Sequence, residues 1–211
     1  FLRAVNILFQ MKFELGKKRY NDYPTFFKTL FEERVQKLSI DGGFTCPNRD
    51  GSKGVGGCSF CNNESFNPDY CRAVRGITEQ IDEGIRFFAR KYKGQRYLAY
   101  FQAYSNTYAP LDVLKLRYEE ALAHPMISGL VIGTRPDVVS EEVLDYLEEL
   151  ARRYYVCVEY GVESVNDTVL RQVNRGHDFA VAEQAIRATA GRGITIGAHL
   201  IFGLPGESRE R

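Results

Sequence analysis

LSIDGGFTCPNRDGSKGVGGCSFCNNESF, residues 38–66, holds Cys46, Cys58 and Cys61 at a C-x11-C-x2-C spacing. Thiolates are soft ligands for zinc or for the iron of iron–sulfur clusters, and a C-x2-C pair can turn both sulfurs toward one metal centre. Gly51, Gly54, Gly56 and Gly57 give the intervening loop the freedom to bring Cys46 to the same place. Three protein ligands leave a coordination position open for substrate or cofactor, as in catalytic metal sites. Adding Cys71 would instead close a four-thiolate structural zinc site, so the cysteines by themselves leave both readings open. Extracellular disulfides fit less well, because five cysteines in 211 residues are neither dense nor even in number. Cys157 lies in an apolar run and reads as a small buried hydrophobe.

Outward from this loop, short β-rich runs alternate with helical patterns, which predicts an α/β fold of parallel βαβ units. Strands are expected at 35–40, 97–102, 129–134, 155–162 and 194–202, and helices at 24–33, 77–92, 111–123, 140–152 and 178–191. Thr78, Ser140 and Asp178 stand near three helix starts as candidate caps. Five such strands form either an open sheet or part of a barrel, and in both ligands gather at the carboxyl ends of the strands, where the cysteine loop leaves the first one.

Strand periodicity adds a second signal. Cys157, Glu159, Gly161 and Glu163 share one face of the fourth strand, opposite Val156, Val158, Tyr160 and Val162. The same alternation groups Tyr100, Gln102 and Tyr104 near the end of the second strand, and Thr195, Gly197, His199 and Ile201 on the fifth. Carboxylates facing inward need partners. Recurrent polar groups on one face therefore predict a polar pocket beside the metal loop.

The length of 211 residues suffices for one sizeable core, and nothing reads as a linker between two domains. A net charge of +1 gives no argument for nucleic-acid binding over the whole surface, although Lys17, Lys18 and Arg19, and again Arg90, Lys91, Lys93 and Arg96, form local basic clusters. No apolar run is long enough to cross a bilayer, so no membrane partner is expected. FLRAVNILFQ lacks a basic leader and a small-residue cleavage pattern and is followed by Met11, so residues 1–10 are read as upstream sequence and a cytoplasmic setting is expected.

Taken in order, these motifs resemble the radical S-adenosylmethionine (SAM) superfamily, and within it the YhcC-like bacterial subgroup related to the elongator catalytic subunit. KLSIDGGFTCPNRDG and GGCSFCN resemble that subgroup's cluster loop, wider than the superfamily's usual C-x3-C-x2-C. YFQAYSNTYA (100–109) occupies the place of the second-strand motif that meets the SAM amino group, but lacks its paired glycines. YGVESVNDTVLRQVNRGHD (160–178) resembles the fourth strand and following helix, and LIFGLPGES (200–208) the fifth-strand motif beside the adenine.

The resemblance implies a partial (β/α) TIM-like barrel of the radical SAM type, its core at 35–211 truncated after the fifth strand, preceded by an N-terminal extension and helix at 1–34. It implies that Cys46, Cys58 and Cys61 hold three irons of a 4Fe-4S cluster whose fourth iron binds SAM, with Phe60 shielding the cluster. Ser105, Asn106, Thr107, Glu163, Arg175, Phe202 and Gly203 are the SAM contacts it implies, while no substrate-side catalytic residue is assigned. One-electron reduction, from a donor such as flavodoxin or ferredoxin, would cleave SAM to methionine and a 5′-deoxyadenosyl radical. Elongator-like relatives point to RNA, in particular tRNA, as substrate; a small metabolite, and a non-catalytic metal-binding module with a structural four-cysteine zinc site, are the alternatives.

Overall fold

Each of the five apolar runs forms a strand: β1 (Arg34–Ile40), β2 (Gln95–Phe101), β3 (Ile127–Thr134), β4 (Tyr155–Glu163) and β5 (Thr195–Leu200). All pair in parallel, in the order β1-β2-β3-β4-β5. Every crossover thus returns to the adjacent strand, so the sheet has no switch point of the doubly wound kind and its crossover helices stack on one side. This is the partial-barrel solution of the two architectures that the alternating pattern allows. The computed structural model describes residue 20 and residues 22–31, 33–65, 67–90 and 95–208. The 1–10 segment, the cluster Lys17, Lys18 and Arg19, and Lys91 and Lys93 lie outside the described residues.

The crossovers contain α2 (Ile77–Ala89), α3 (Leu111–Leu122), α4 (Glu141–Ala151), and then α5 (Asp167–Gln172) with α6 (Phe179–Thr189). On the outer face of the sheet, Leu38, Phe101, Leu130, Ile132, Val158 and Tyr160 are fully buried and join Ile81, Leu114 and Leu147 of the helices in the main core. Each such side chain contributes about 1.5–3 kcal/mol by leaving water. Ser140 and Asp178 cap α4 and α6, accepting from Val143 N at 3.3 Å and Val181 N at 3.2 Å. Thr78 is not a cap: Gly76 begins α2, and the N–H and hydroxyl of Thr78 donate to Glu120 on α3 at 3.0 and 3.2 Å, tying two helices together. The short α5, opened by Asn166, is the helix that the 160–178 motif implies after the fourth strand; periodicity alone does not mark it, since six residues are too few for an amphipathic repeat.

The inner face is divided in two. Its lower half is closed by α1 (Tyr23–Leu30), which starts at Asp22, whose carboxylate accepts from Thr25 N at 2.8 Å, with a proline in its first turn. Phe27 of α1 packs with Leu98, Tyr100, Val131 and Cys157, and its ring meets Tyr155 edge-on at 5.5 Å. The upper half, toward the carboxyl ends of the strands, carries the polar side chains. Arg90 follows α2 and Arg96 is the second residue of β2, so both sit at the amino end of the sheet, and Arg96 donates to Ser128 at 3.0 Å. Arg90 and Arg96 are therefore placed away from the polar end.

Phe27→Ala is expected to cost about 3–5 kcal/mol, the usual range for truncating a buried phenylalanine, because it opens the inner core under the polar half. Urea unfolding at neutral pH measures this; an unchanged midpoint would show that α1 does not plug the barrel.

Candidate functional site

The cysteine loop is held by backbone and amide bonds rather than by apolar packing. Gln80, fully buried on α2, brackets Asp41 at the end of β1, accepting from its N–H at 2.9 Å and donating to its carbonyl at 3.0 Å. Asn48, 1 % exposed, donates to the carbonyls of Asn174 at 2.6 Å and Arg175 at 3.1 Å, and its amide nitrogen stands 3.5 Å from Cys58 Sγ. Asn174 returns a bond to Gly57 O at 2.9 Å, and Ser59 N donates to Val173 O at 3.0 Å. The loop is thereby docked on the segment that joins α5 to α6. Cys46, Cys58 and Cys61 line one cavity of about 350 Å³ at the carboxyl ends of the strands.

Charges crowd the same cavity. Arg175, 5 % exposed, donates to Gly161 O, approaches Cys58 Sγ at 3.6 Å and lies 3.8 Å from Glu163. A Cβ on Gly161 would stand 2.5 Å from Glu163 Oε1 and 2.7 Å from Arg175 Nη2, so only glycine lets these two side chains cross the strand. The β4–β5 register slips between Gly161 and Glu163, and Glu163 has φ +68°. This bulge re-aims the carboxylate into the cavity, where burial raises its pKa despite Arg175, His199 and Arg135 nearby. Tyr104, also in the cavity wall, has φ +65°. Such backbone costs about 1 kcal/mol or more for a residue with a Cβ, and it tends to persist where a site over-determines it.

Below these groups Glu159 accepts from Lys37 of β1 and, at 3.1 Å, from His199 Nε2 of β5. Burial pushes its carboxyl up, but the bonds and charges of His199 and Lys37 outweigh this and hold it at about 2. Reciprocally, the bond to Glu159 raises the His199 pKa. Lys37 Nζ also lies 4.4 Å from the Tyr100 ring centroid and 4.7 Å from that of Tyr23. On the opposite wall Arg135, 3 % exposed, grips both oxygens of Asp137 at 2.9 and 2.8 Å, and Lys53 of the cysteine loop adds a third contact at 2.6 Å.

Of the residues singled out in the sequence, the three cysteines, Phe60, Ser105, Glu163 and Arg175 come together in the cavity. Asn106 and Thr107 do not reach it. Asn106 is fully buried beneath, donating to Gly133 O at 2.8 Å and accepting from Tyr118, while Thr107 bonds Thr134 at 2.7 Å and Val138 O at 2.9 Å. Phe202 is 89 % exposed, and neither it nor Gly203 lines the cavity; Ile201 is the residue of that stretch that does. Cys71 lines a neighbouring depression with Asp41 and Arg72, and burial pushes its thiol up to about 12. The four-cysteine zinc alternative therefore has no support in this geometry. Asn48 and Lys53 were missed because their partners are 126 and 84 residues away, and Arg135, although its partner Asp137 is 2 residues away, because no periodicity marks it.

The donor set can be tested against the implied cofactors. Among the described residues no three His, Cys, Asp or Glu side chains close around one point as a single ion requires. The thiols instead ring a shared space. Asn63 Nδ2, Ser105 Oγ, Arg135 Nη1 and Arg175 Nε are buried without a hydrogen-bond partner, and all four residues line that space. Buried donors without acceptors are costly. An anionic thiolate-bound cluster with a carboxylate-bearing ligand would satisfy them, so the residues fit a cluster and SAM.

Comparison with known proteins agrees. A family model described as Radical SAM superfamily matches residues 46–211. Protein YhcC of Escherichia coli (strain K12) is 44% identical over 180 residues, covering 85% of this chain and 57% of that protein. The chain thus spans little more than half the length of this relative. The tRNA uridine(34) acetyltransferase of Methanocaldococcus infernus is 31% identical over 94 residues, 44% of this chain and 17% of its own length. Among solved structures, the archaeal Methanocaldococcus infernus Elp3 with an N-terminal deletion superposes with a TM-score of 0.58 at 18% identity, covering 84% of this chain and 40% of that one. That likeness concerns the fold. No described helix is long and apolar enough to cross a membrane.

The ion triad sets a pH dependence. An unfolded Glu159 titrates near 4.5 and the folded one at about 2, so its ion pairs contribute about 3 kcal/mol. That contribution is complete above about pH 4.5 and is lost as the pH falls toward 2. His199 works in the other direction, its contribution present below its ordinary pKa and lost as the pH rises through the elevated folded value. Glu159→Gln is expected to be less stable than wild type by about 3 kcal/mol at neutral pH, with the gap narrowing on acidification. Urea unfolding at several pH values measures it, and a gap that does not vary with pH would show that Glu159 is not ionised in the fold.

Proposed function

The chain belongs to the radical SAM superfamily, and from that membership we propose that it is an enzyme that binds a 4Fe-4S cluster and SAM in the cavity at the carboxyl end of its barrel. The observation that carries this reading is the convergence of three thiols and four partnerless buried donors on one cavity. Cys46, Cys58 and Cys61 would hold the cluster, which when bound supplies the electron that cleaves SAM to methionine and a 5′-deoxyadenosyl radical. A low-potential one-electron donor such as flavodoxin or ferredoxin would reduce it.

The chain's own residues bind, orient and exclude. Arg175 offers Nε and a full charge to an anionic group, such as the SAM carboxylate, through a charge-assisted bond. Glu163, its backbone held by the bulge, presents an acceptor for ribose or amino protons. Phe60 and Ile201 pack against the buried cluster of Val169, Val173 and Leu204 and line the cavity, where they would form an apolar wall that excludes water. Asn106 and Thr107 serve as supports below the site, fixing the turn after β2 against β3.

For the substrate we favour RNA, in particular a tRNA nucleoside, over a small metabolite. Support comes from the similarity to a relative named as a tRNA uridine acetyltransferase. Arg90 and Arg96 lend no support, being at the far end of the barrel.

Anaerobic reconstitution of the full-length protein tests the assignment. Cys46→Ala, Cys58→Ala and Cys61→Ala are each expected to lose most of the bound iron, and Cys71→Ala to keep it; equal loss from Cys71→Ala would overturn the three-ligand set. Reduced, reconstituted protein is expected to form 5′-deoxyadenosine from SAM, faster with bulk RNA than with a metabolite extract. No 5′-deoxyadenosine under any of these conditions would reject the radical reading, whereas stimulation by metabolites alone would reject RNA.

A further inference from the structure

Arg135 follows β3 directly, and beyond its place among the partnerless buried donors it has been given no role of its own. Its side chain is 3 % exposed and is held by two bonds to Asp137; Nη1 is buried without a partner, and the residue lines the cavity. It shares the wall of that cavity with Cys46, Cys58 and Cys61. Three distances place it: a Cβ on Gly176 would stand 3.5 Å from Arg135 Nη2 and 2.7 Å from Asn48 Oδ1, and Asn48 Nδ2 is 3.5 Å from Cys58 Sγ. Gly176 has φ +77°, and its lack of a Cβ leaves room there for Asn48 and Arg135.

Asp137 is the joint of the arrangement. It faces Arg135 on one side and, on the other, Lys53, which lies within the loop between Cys46 and Cys58. Although burial pushes its carboxyl up, these two cations hold it at about 2, so it is charged throughout the neutral range. Lys53, Asp137 and Arg135 together leave one net positive charge, fixed at the inner wall and mechanically linked to the cysteine loop.

We propose that Arg135, clamped by Asp137 and through it by Lys53, is a positioning residue that sets the reduction potential of the cluster held by Cys46, Cys58 and Cys61. This rests on the cluster reading above. A cluster that accepts an electron becomes more negative, so a fixed cation in the same cavity wall as its thiolates stabilises the reduced form and raises the potential. At an effective dielectric constant of about 20 and a separation on the order of 10 Å, one charge changes the reduced-to-oxidised ratio about tenfold.

The experiment is a redox titration, followed by electron paramagnetic resonance, of reconstituted full-length wild type, Arg135→Gln and Asp137→Asn, with iron measured in each. Arg135→Gln is expected to lower the potential by about 59 mV, the one-electron equivalent of a tenfold change. Asp137→Asn, which removes a negative charge from the same place, is expected to raise it. A purely structural clamp predicts that both variants move alike, through a loosened loop, and that result would overturn the proposal. An unchanged potential in fully loaded Arg135→Gln would also overturn it while leaving the cluster reading intact. Should Arg135→Gln fail to hold iron, the Asp137→Asn titration decides alone, and a shift downward or no shift counts against the proposal. Wild type that takes up no cluster overturns the cluster reading and this one with it.

Discussion

The carboxylate of Glu159 joins the two edge strands of an open sheet. Lys37 belongs to β1 and His199 to β5, and both donate to it across the inner face. β1 and β4 are three strand spacings apart, about 14 Å along a flat sheet, too far for a lysine and a glutamate to meet unless the sheet curls. The ion pair and the curvature therefore imply each other. Sheet twist and one-sided helix packing start the curl, α1 fills its lower half with Phe27, and the buried charges then have a common centre at which each is paired. Without that pairing the upper half of the inner face would bury single charges at a cost of several kcal/mol.

Curvature also creates the space above. β4 places Glu159, Gly161 and Glu163 in succession up the inner wall, and Gly161 leaves room for Arg175 to enter from the segment after α5. Arg175 sits where it does because Asn48 binds the carbonyls of residues 174 and 175. The same asparagine reaches Cys58. One amide thus sets the position of a proposed cluster ligand relative to a proposed SAM contact, although nothing in its type or spacing distinguishes it in the sequence.

Legibility in the sequence follows from how local each signal is. Strand identity and facing were legible because period-2 alternation is local: Cys157, Glu159 and Gly161 point inward and Val156, Val158 and Tyr160 outward, as alternation requires. The helices at 140–152 and 178–191 begin at Ser140 and Asp178 because an oxygen side chain before an amphipathic run is also a local signal. What escaped depends on distant partners. Thr78 carries the capping chemistry, but Glu120 of another helix takes it. Asn106 and Thr107 are polar and stand at a strand end, yet the Asn106 amide nitrogen is taken by Gly133 and the Thr107 hydroxyl by Thr134 and Val138. Phe202 follows the last strand within a matching motif, but β5 ends at Leu200 and the ring points to solvent. Motif position and side-chain direction are separate facts, and the sequence carries only the first.

The bulge in β4 is the case in which both kinds of information are needed. Strict alternation already puts Glu163 on the face of Glu159, so the sequence assigns the correct side for a reason that is incomplete. In the structure Gly161 pairs with His199 and Glu163 with Leu200, leaving Val162 unpaired. A regular strand would keep Glu163 in step with its neighbours; the slip turns its backbone to φ +68° and sets its carboxylate beside Arg175. Nothing in local propensity favours a glutamate in that conformation. Its persistence has to come from the contacts that surround it: the Gly161 carbonyl bound by Arg175, the Glu163 carbonyl accepting from Ile201 N at 2.9 Å, and Val162 fixed in the outer core. The strained residue is thus held on three sides by groups that are themselves determined elsewhere, and the fourth side, where the carboxylate projects, opens to the cavity.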